Sequence, residues 1–145
     1  MILDFHTHIF PPAVRERREE YLRRDATFAT LYSQPEARIA TAEDLLGSMA
    51  EAGIDQSVAL GFAWSEAELC ARHNDYLLEW GAKSGRRLIP FCTIQPRAGE
   101  AALKEAERCA QAGARGLGEL RPDNQGYDLA ISREGPRPRS GAGRL

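Results

Sequence analysis

Apolar positions follow two regimes along this chain. Continuous apolar runs at 57–62 and 88–94 read as strands buried on both faces. Residues 2–8 form a shorter strand at the start, and 114–120 a fourth. Between them apolar residues recur at helical spacing: Leu45, Leu46 and Met49; then Leu69, Tyr76, Leu77 and Trp80; then Leu103, Ala106, Cys109 and Ala110. Helix boundaries are marked as well. Thr41-Ala42-Glu43-Asp44 has the form of a capping box, and Ser65 with Glu68 repeats it. Gly53, Gly85 and Gly113 are natural C-terminal stops. The expected order is a strand, a long connection, and then helix–strand three times. Such strict alternation predicts an α/β fold with a parallel sheet and covering helices. A doubly wound sheet and a closed barrel are both built this way, and periodicity does not choose between them.

Two stretches escape the pattern. Residues 9–40 show no strand periodicity. Phe10-Pro11-Pro12 breaks the first strand, and the charged segment 14–24 predicts a short surface helix. A strand-to-helix connection usually takes about 2–6 residues. This one reads as a lid or substrate-binding segment, or equally as a plain surface excursion. At the other end, 132–145 holds four arginines, three glycines and two prolines with almost nothing to bury. It is expected to be a disordered, solvated tail.

Bulk composition narrows the class. The 145 residues carry a formal net charge of −2, with 43% hydrophobic and 28% charged side chains. These values suit one soluble globular domain. They exclude a disordered chain, a collagen-like chain and a disulfide scaffold. No apolar run approaches the ~20 residues of a membrane helix, and the first residues lack a secretory signal pattern. Cys70, Cys92 and Cys109 are odd in number and lack Cys-Xaa-Xaa-Cys spacing, so they are expected to be reduced thiols in a cytoplasmic protein. The near-neutral balance makes no case for nucleic acid as a partner. A phosphate-binding Gly-rich loop and a Gly-Xaa-Ser-Xaa-Gly elbow are both missing.

The candidate chemistry starts at Asp4-Phe5-His6-Thr7-His8. Alternate strand residues point the same way, so His6 and His8 present two imidazoles side by side. They lie at the C-terminal end of the strand, where parallel α/β folds place their sites. Neutral imidazole ligates zinc and similar metals, although a catalytic ion usually takes three protein ligands. Hydrogen bonding within a strand end is the plainer alternative. Asp4 shares their parity and reads mainly as structural. His73 falls on the packed stripe with Tyr76 and Trp80 and reads as a core histidine. Glu119 closes the fourth strand in Gly118-Glu119-Leu120-Arg121. It is a candidate metal ligand, proton acceptor or ligand contact, or the ion-pair partner of Arg121. Arg121 can hold a substrate carboxylate or phosphate. Trp64, just after the second strand, either walls the same rim or anchors a loop.

The opening Asp4-Phe5-His6-Thr7-His8-Ile9-Phe10-Pro11-Pro12 resembles that of metal-dependent hydrolases of the amidohydrolase superfamily, in the aminocarboxymuconate-semialdehyde-decarboxylase-like branch. The likeness continues through 41–53, His73-Asn74-Asp75-Tyr76-Leu77 and Gly116-Leu117-Gly118-Glu119-Leu120. Phosphoesterases with a polymerase-and-histidinol-phosphatase domain also open on His-Xaa-His, but Phe10-Pro11-Pro12 fits them less well. The resemblance implies a (β/α)₈ barrel, of which 1–131 would be the first four β/α units. It also implies one divalent metal, zinc foremost with manganese as an alternative. His6 and His8 match the first-strand ligands, and Glu119 matches an acid at or near the metal.

The implied reaction is hydrolysis of a C–N or C–O bond in a small molecule by metal-activated water, with decarboxylation or phosphoester cleavage on the same kind of barrel as alternatives. No histidine follows His73, so later-strand ligands are absent. The expectation is therefore a truncated, impaired chain with its reading frame shifted near Ile131. A non-catalytic half-barrel that associates through exposed sheet edges, for instance as a homodimer, is the competing reading.

Overall fold

The computed structural model describes residues 1–128. The expected tail at 132–145 and the boundary at 131 lie outside the described residues. Four parallel strands form one sheet: β1 (Leu3–His8), β2 (Gln56–Leu60), β3 (Leu88–Cys92) and β4 (Gly116–Leu117), in the order β1-β2-β3-β4. That order decides what periodicity left open. A doubly wound sheet reverses direction at a switch point. Here every strand is added on the same side of its predecessor, as in a barrel wall.

The connecting helices are α4 (Ala42–Ala52), α5 (Ala67–Lys83) and α6 (Glu100–Gln111). On α4 the capping box forms in full: Thr41 accepts from the Asp44 backbone, and Asp44 accepts from the Thr41 backbone. Gly53 ends the helix in the left-handed conformation, which glycine adopts without a Cβ penalty. The second box does not form. Glu66, not Ser65, is the N-cap of α5, because the Ser65 hydroxyl donates to Asp25 instead. On α6 the buried face is Ala102 and Cys109, while Leu103 points outward at 64% exposure. Of the expected stripe, Cys109 is buried and Ala106 half-buried, while Leu103 and Ala110 face outward.

One core lies between the sheet and these helices, built from Ile9, Ala42, Met49, Ala59, Leu77 and Leu88. A second core was not anticipated. Residues 9–40 fold into α1 (Pro12–Glu16), α2 (Arg18–Arg24) and α3 (Ala26–Tyr32). The expected single helix over 14–24 is interrupted at Arg17. Phe10, Val14, Tyr21, Phe28 and Ile39 from this segment pack with Phe62, Trp64, Leu69 and Cys70. The Phe28 ring lies 5.1 Å from Trp64 and 4.6 Å from Tyr32, centroid to centroid. Each such buried aromatic contributes about 1.5–3 kcal/mol over an exposed one. The segment is therefore a packed cap on the C-terminal ends of β1 and β2, neither a surface excursion nor a loose lid.

The fourth strand is shorter than the expected 114–120. Only Phe91↔Gly116 and Cys92↔Leu117 pair. A Cβ on Gly116 would sit 2.5 Å from the Phe91 ring, so glycine is what lets the two strands approach. The chain then leaves the ladder and enters the short helix α7 (Pro122–Gln125).

Candidate metal centre

The register places the site. His8 pairs with Leu60, and Leu60 with Phe91, so His8 stands on the face opposite Thr7 and Ala59, away from the helix-packed core. The pairing of β1 with β2 is irregular between Asp4 and Thr7. This breaks strict alternation, and Asp4 turns its carboxylate to the backbone N–H of His6 at 3.1 Å.

At the end of β1 the Nε2 atoms of His6 and His8 are 3.1 Å apart. Glu119 reaches the same point from beyond β4, its Oε2 3.3 Å from His8 Nε2. One donor atom from each of the three residues lies within 4.8 Å of the others, the one such grouping among the described residues. Glu119 does not pair with Arg121, whose guanidinium is instead held by Asp123 at 2.8 Å.

The donor set fits a divalent cation. Zinc–nitrogen and zinc–oxygen bonds of about 2.0–2.2 Å put neighbouring donors of a tetrahedron about 3.3–3.6 Å apart. The observed 3.1 and 3.3 Å separations are close to that spacing. Two Nε2 lone pairs aimed at each other repel unless a proton or a cation lies between them. Burial lowers the pKa of His8, opposed by the Glu119 carboxylate and aided by His6, so its ring is neutral and ligand-competent near pH 7. Its Nδ1 is buried without a partner among the described residues, leaving Nε2 as the engaged nitrogen.

A scaffold absent from the sequence reading holds these groups. Asp25, 1% exposed, caps α3 through the Phe28 N–H at 2.9 Å. It also accepts from the backbone and hydroxyl of Ser65, each at 2.9 Å, and from the Asn124 amide at 3.1 and 3.2 Å. One buried carboxylate thus ties the cap, the loop after β2 and helix α7 together. Thr93 Oγ1 donates to the Glu119 carbonyl at 2.7 Å. Tyr32, on α3, has its pKa raised chiefly by burial and further by the Glu119 charge.

Trp64 takes its loop-anchor alternative. It is 1% exposed, because its ring fills the cap core and its indole N–H donates to His73. The expected substrate contact at Trp64 is therefore corrected. His73 is a core histidine, 2% exposed.

Comparison with known proteins now adds the family. The model of the amidohydrolase family Amidohydro_2 matches residues 3–138. The chain belongs to that family. No curated protein sequence matches the chain. Among solved structures, 5-carboxyvanillate decarboxylase from Novosphingobium aromaticivorans, determined with bound manganese, is similar at a TM-score of 0.72 and 22% identity, over 89% of this chain and 44% of that one. The 2,6-dihydroxybenzoate decarboxylase from Rhizobium gives 0.56 and 21%, over 80% and 37%. The 4-oxalomesaconate hydratase from Rhodopseudomonas palustris gives 0.51 and 21%, over 81% and 40%. The chain thus spans roughly two fifths of the length of the structures it matches. At this identity the likeness is one of fold. This member of the amidohydrolase family presents four parallel β/α units of a partial barrel.

Proposed function

We propose that this chain carries the first-strand side of a divalent-metal centre in an enzyme that acts on a small-molecule substrate, with hydrolysis of a C–N or C–O bond as the leading reaction. The observation that carries the reading is the convergence of His6, His8 and Glu119, with donor separations of 3.1 and 3.3 Å. His6 and His8 would hold the cation through neutral Nε2 atoms. Glu119 would serve as a third donor, or hold a proton beside the ion. Zinc and manganese both suit two imidazoles and a carboxylate. Such an ion, when bound, polarises a substrate oxygen and makes water a stronger acid.

The chain's own contribution is positional. Residues 9–40 cap the rim and keep the cluster partly shielded. Arg121 stands next but one to Glu119 as a candidate for a substrate carboxylate or phosphate, although such an anion would have to displace Asp123. Decarboxylation is the second reading, favoured by the two decarboxylases among the structural neighbours.

Metal content by mass spectrometry, after incubation with zinc or manganese and dialysis, tests the centre. Near-stoichiometric metal that disappears in His6→Ala and His8→Ala supports it. A folded chain that retains none contradicts it. Product analysis on amides, esters and aryl carboxylates then separates hydrolysis from release of carbon dioxide.

A further inference from the structure

His73 lies on α5, outside the donor cluster, and is almost wholly buried. Its Nε2 is 2.6 Å from the Ile9 carbonyl oxygen. A carbonyl only accepts, so Nε2 carries the ring proton. Nδ1 is then a lone pair, and two N–H groups point at it: the Trp64 indole at 3.1 Å and the Phe62 backbone at 3.3 Å. All three contacts agree on one neutral tautomer. Burial lowers the pKa of the ring to about 4, so this state persists through the neutral range.

The partners matter more than the burial. Ile9 follows His8 directly, and Phe62 follows Gly61. The Gly61 carbonyl accepts from the Glu119 backbone N–H at 3.1 Å, and Gly61 N–H donates to the Phe91 carbonyl at 3.1 Å. One continuous path therefore runs from His8 through Ile9, His73, Phe62 and Gly61 to Glu119. Its two ends are the groups that meet at 3.3 Å. An apolar residue of similar volume could fill the same space. It could not donate at one end and accept at the other.

We propose that His73 is a positioning residue for the His6–His8–Glu119 centre: by bridging the rim of β1 to the rim of β2 it sets the separation of His8 and Glu119, without touching cation or substrate. The proposal rests on the metal reading above and adds a residue to it. Groups that orient ligands at such centres typically change metal affinity by about 10–100-fold when lost.

The test uses the full chain with Co(II) as the probe, comparing wild type, His73→Leu and His73→Gln by calorimetric affinity and visible absorption, with circular dichroism as the check on folding. The expected result is that His73→Leu weakens Co(II) binding about tenfold or more and shifts its absorption bands. Glutamine keeps one donor and one acceptor and is expected to restore binding to within about threefold of wild type. A folded His73→Leu with wild-type affinity and spectrum overturns the proposal, and so does a His73→Gln as impaired as the leucine variant. Should His73→Leu not fold, the nitrogen-15 spectrum of the wild-type imidazoles decides. Zn(II) binding is expected to move the His73 Nε2–H resonance, and a resonance that stays put overturns the proposal. A wild-type chain that takes up no metal overturns the metal reading itself and this proposal with it, an outcome distinct from every variant result.

Discussion

His6 and His8 bring their Nε2 atoms to 3.1 Å at the end of β1, with ring planes inclined at 66°. At that distance two neutral imidazoles either share one Nε2–H as a hydrogen bond or turn both Nε2 lone pairs on a cation, and a carboxylate from Glu119 lies 3.3 Å from one of them. Replacing either histidine by alanine is expected to reduce zinc or manganese affinity by roughly 100-fold or more, and Glu119→Gln by about tenfold. Calorimetry on the three variants checks the ranking. Equal, wild-type affinity in all three would place the metal elsewhere.

Stability is expected to fall in mild acid because of His73. Its folded-state pKa of about 4 lies below the ordinary 6.5. As pH drops, the unfolded chain takes up the proton first. The contribution is complete above about pH 6.5 and is lost progressively between 6.5 and about 4, on the order of 3 kcal/mol in all. Urea denaturation at pH 7, 5.5 and 4.5 measures it. His73→Gln should flatten the profile over that window, and an equally steep profile in the variant would assign the loss to other groups.

Asp25 joins segments 99 positions apart through Asn124. Asp25→Ala removes the acceptor of the Phe28 N–H and of the Ser65 N–H and hydroxyl, and leaves the Asn124 amide with the Ala63 carbonyl alone. A loss of about 2–4 kcal/mol is expected, read as a lower midpoint in chemical denaturation. A change below about 1 kcal/mol would mean that water replaces the carboxylate at no cost.

If residues 9–40 are a packed cap, Phe28→Ala must behave as a core truncation. Phe28 is 0% exposed, and about 3–5 kcal/mol is expected to be lost. A flexible lid would unfold locally and leave global stability nearly unchanged, so denaturation midpoints distinguish the two.

Association through the sheet edge is expected to depend on Phe5. On β1 it is 71% exposed, with Ile2 at 57%, and Leu117 at the opposite edge is 49% exposed. Exposed apolar strand edges invite further strands. Light scattering across concentration should show self-association of the wild-type chain that Phe5→Lys reduces. Identical masses for the two would remove Phe5 from the interface.

The features legible in the sequence are local ones. Thr41 and Asp44 sit three residues apart, and their capping box forms as read. His6 and His8 stand two apart at the end of β1 and their imidazoles meet as read, although the strand is irregular between Asp4 and Thr7. Ser65 shows the limit of such reading. Its motif was sound, but a buried carboxylate from residue 25 competed for the same hydroxyl and won. Trp64 shows it again, since nothing beside it in sequence reveals the rings of Phe10, Tyr21 and Phe28 around it.

By itself the sequence determined the alternation of strands and helices, the parallel sheet and the paired imidazoles, because each depends on backbone periodicity over a few residues. Tertiary structure alone decided that the strands run in the order β1-β2-β3-β4, that residues 9–40 form a core over the rim, and that Glu119 meets His8 and not Arg121. Those outcomes depend on which distant groups compete for one volume or one proton, and that competition exists only once the chain has closed on itself.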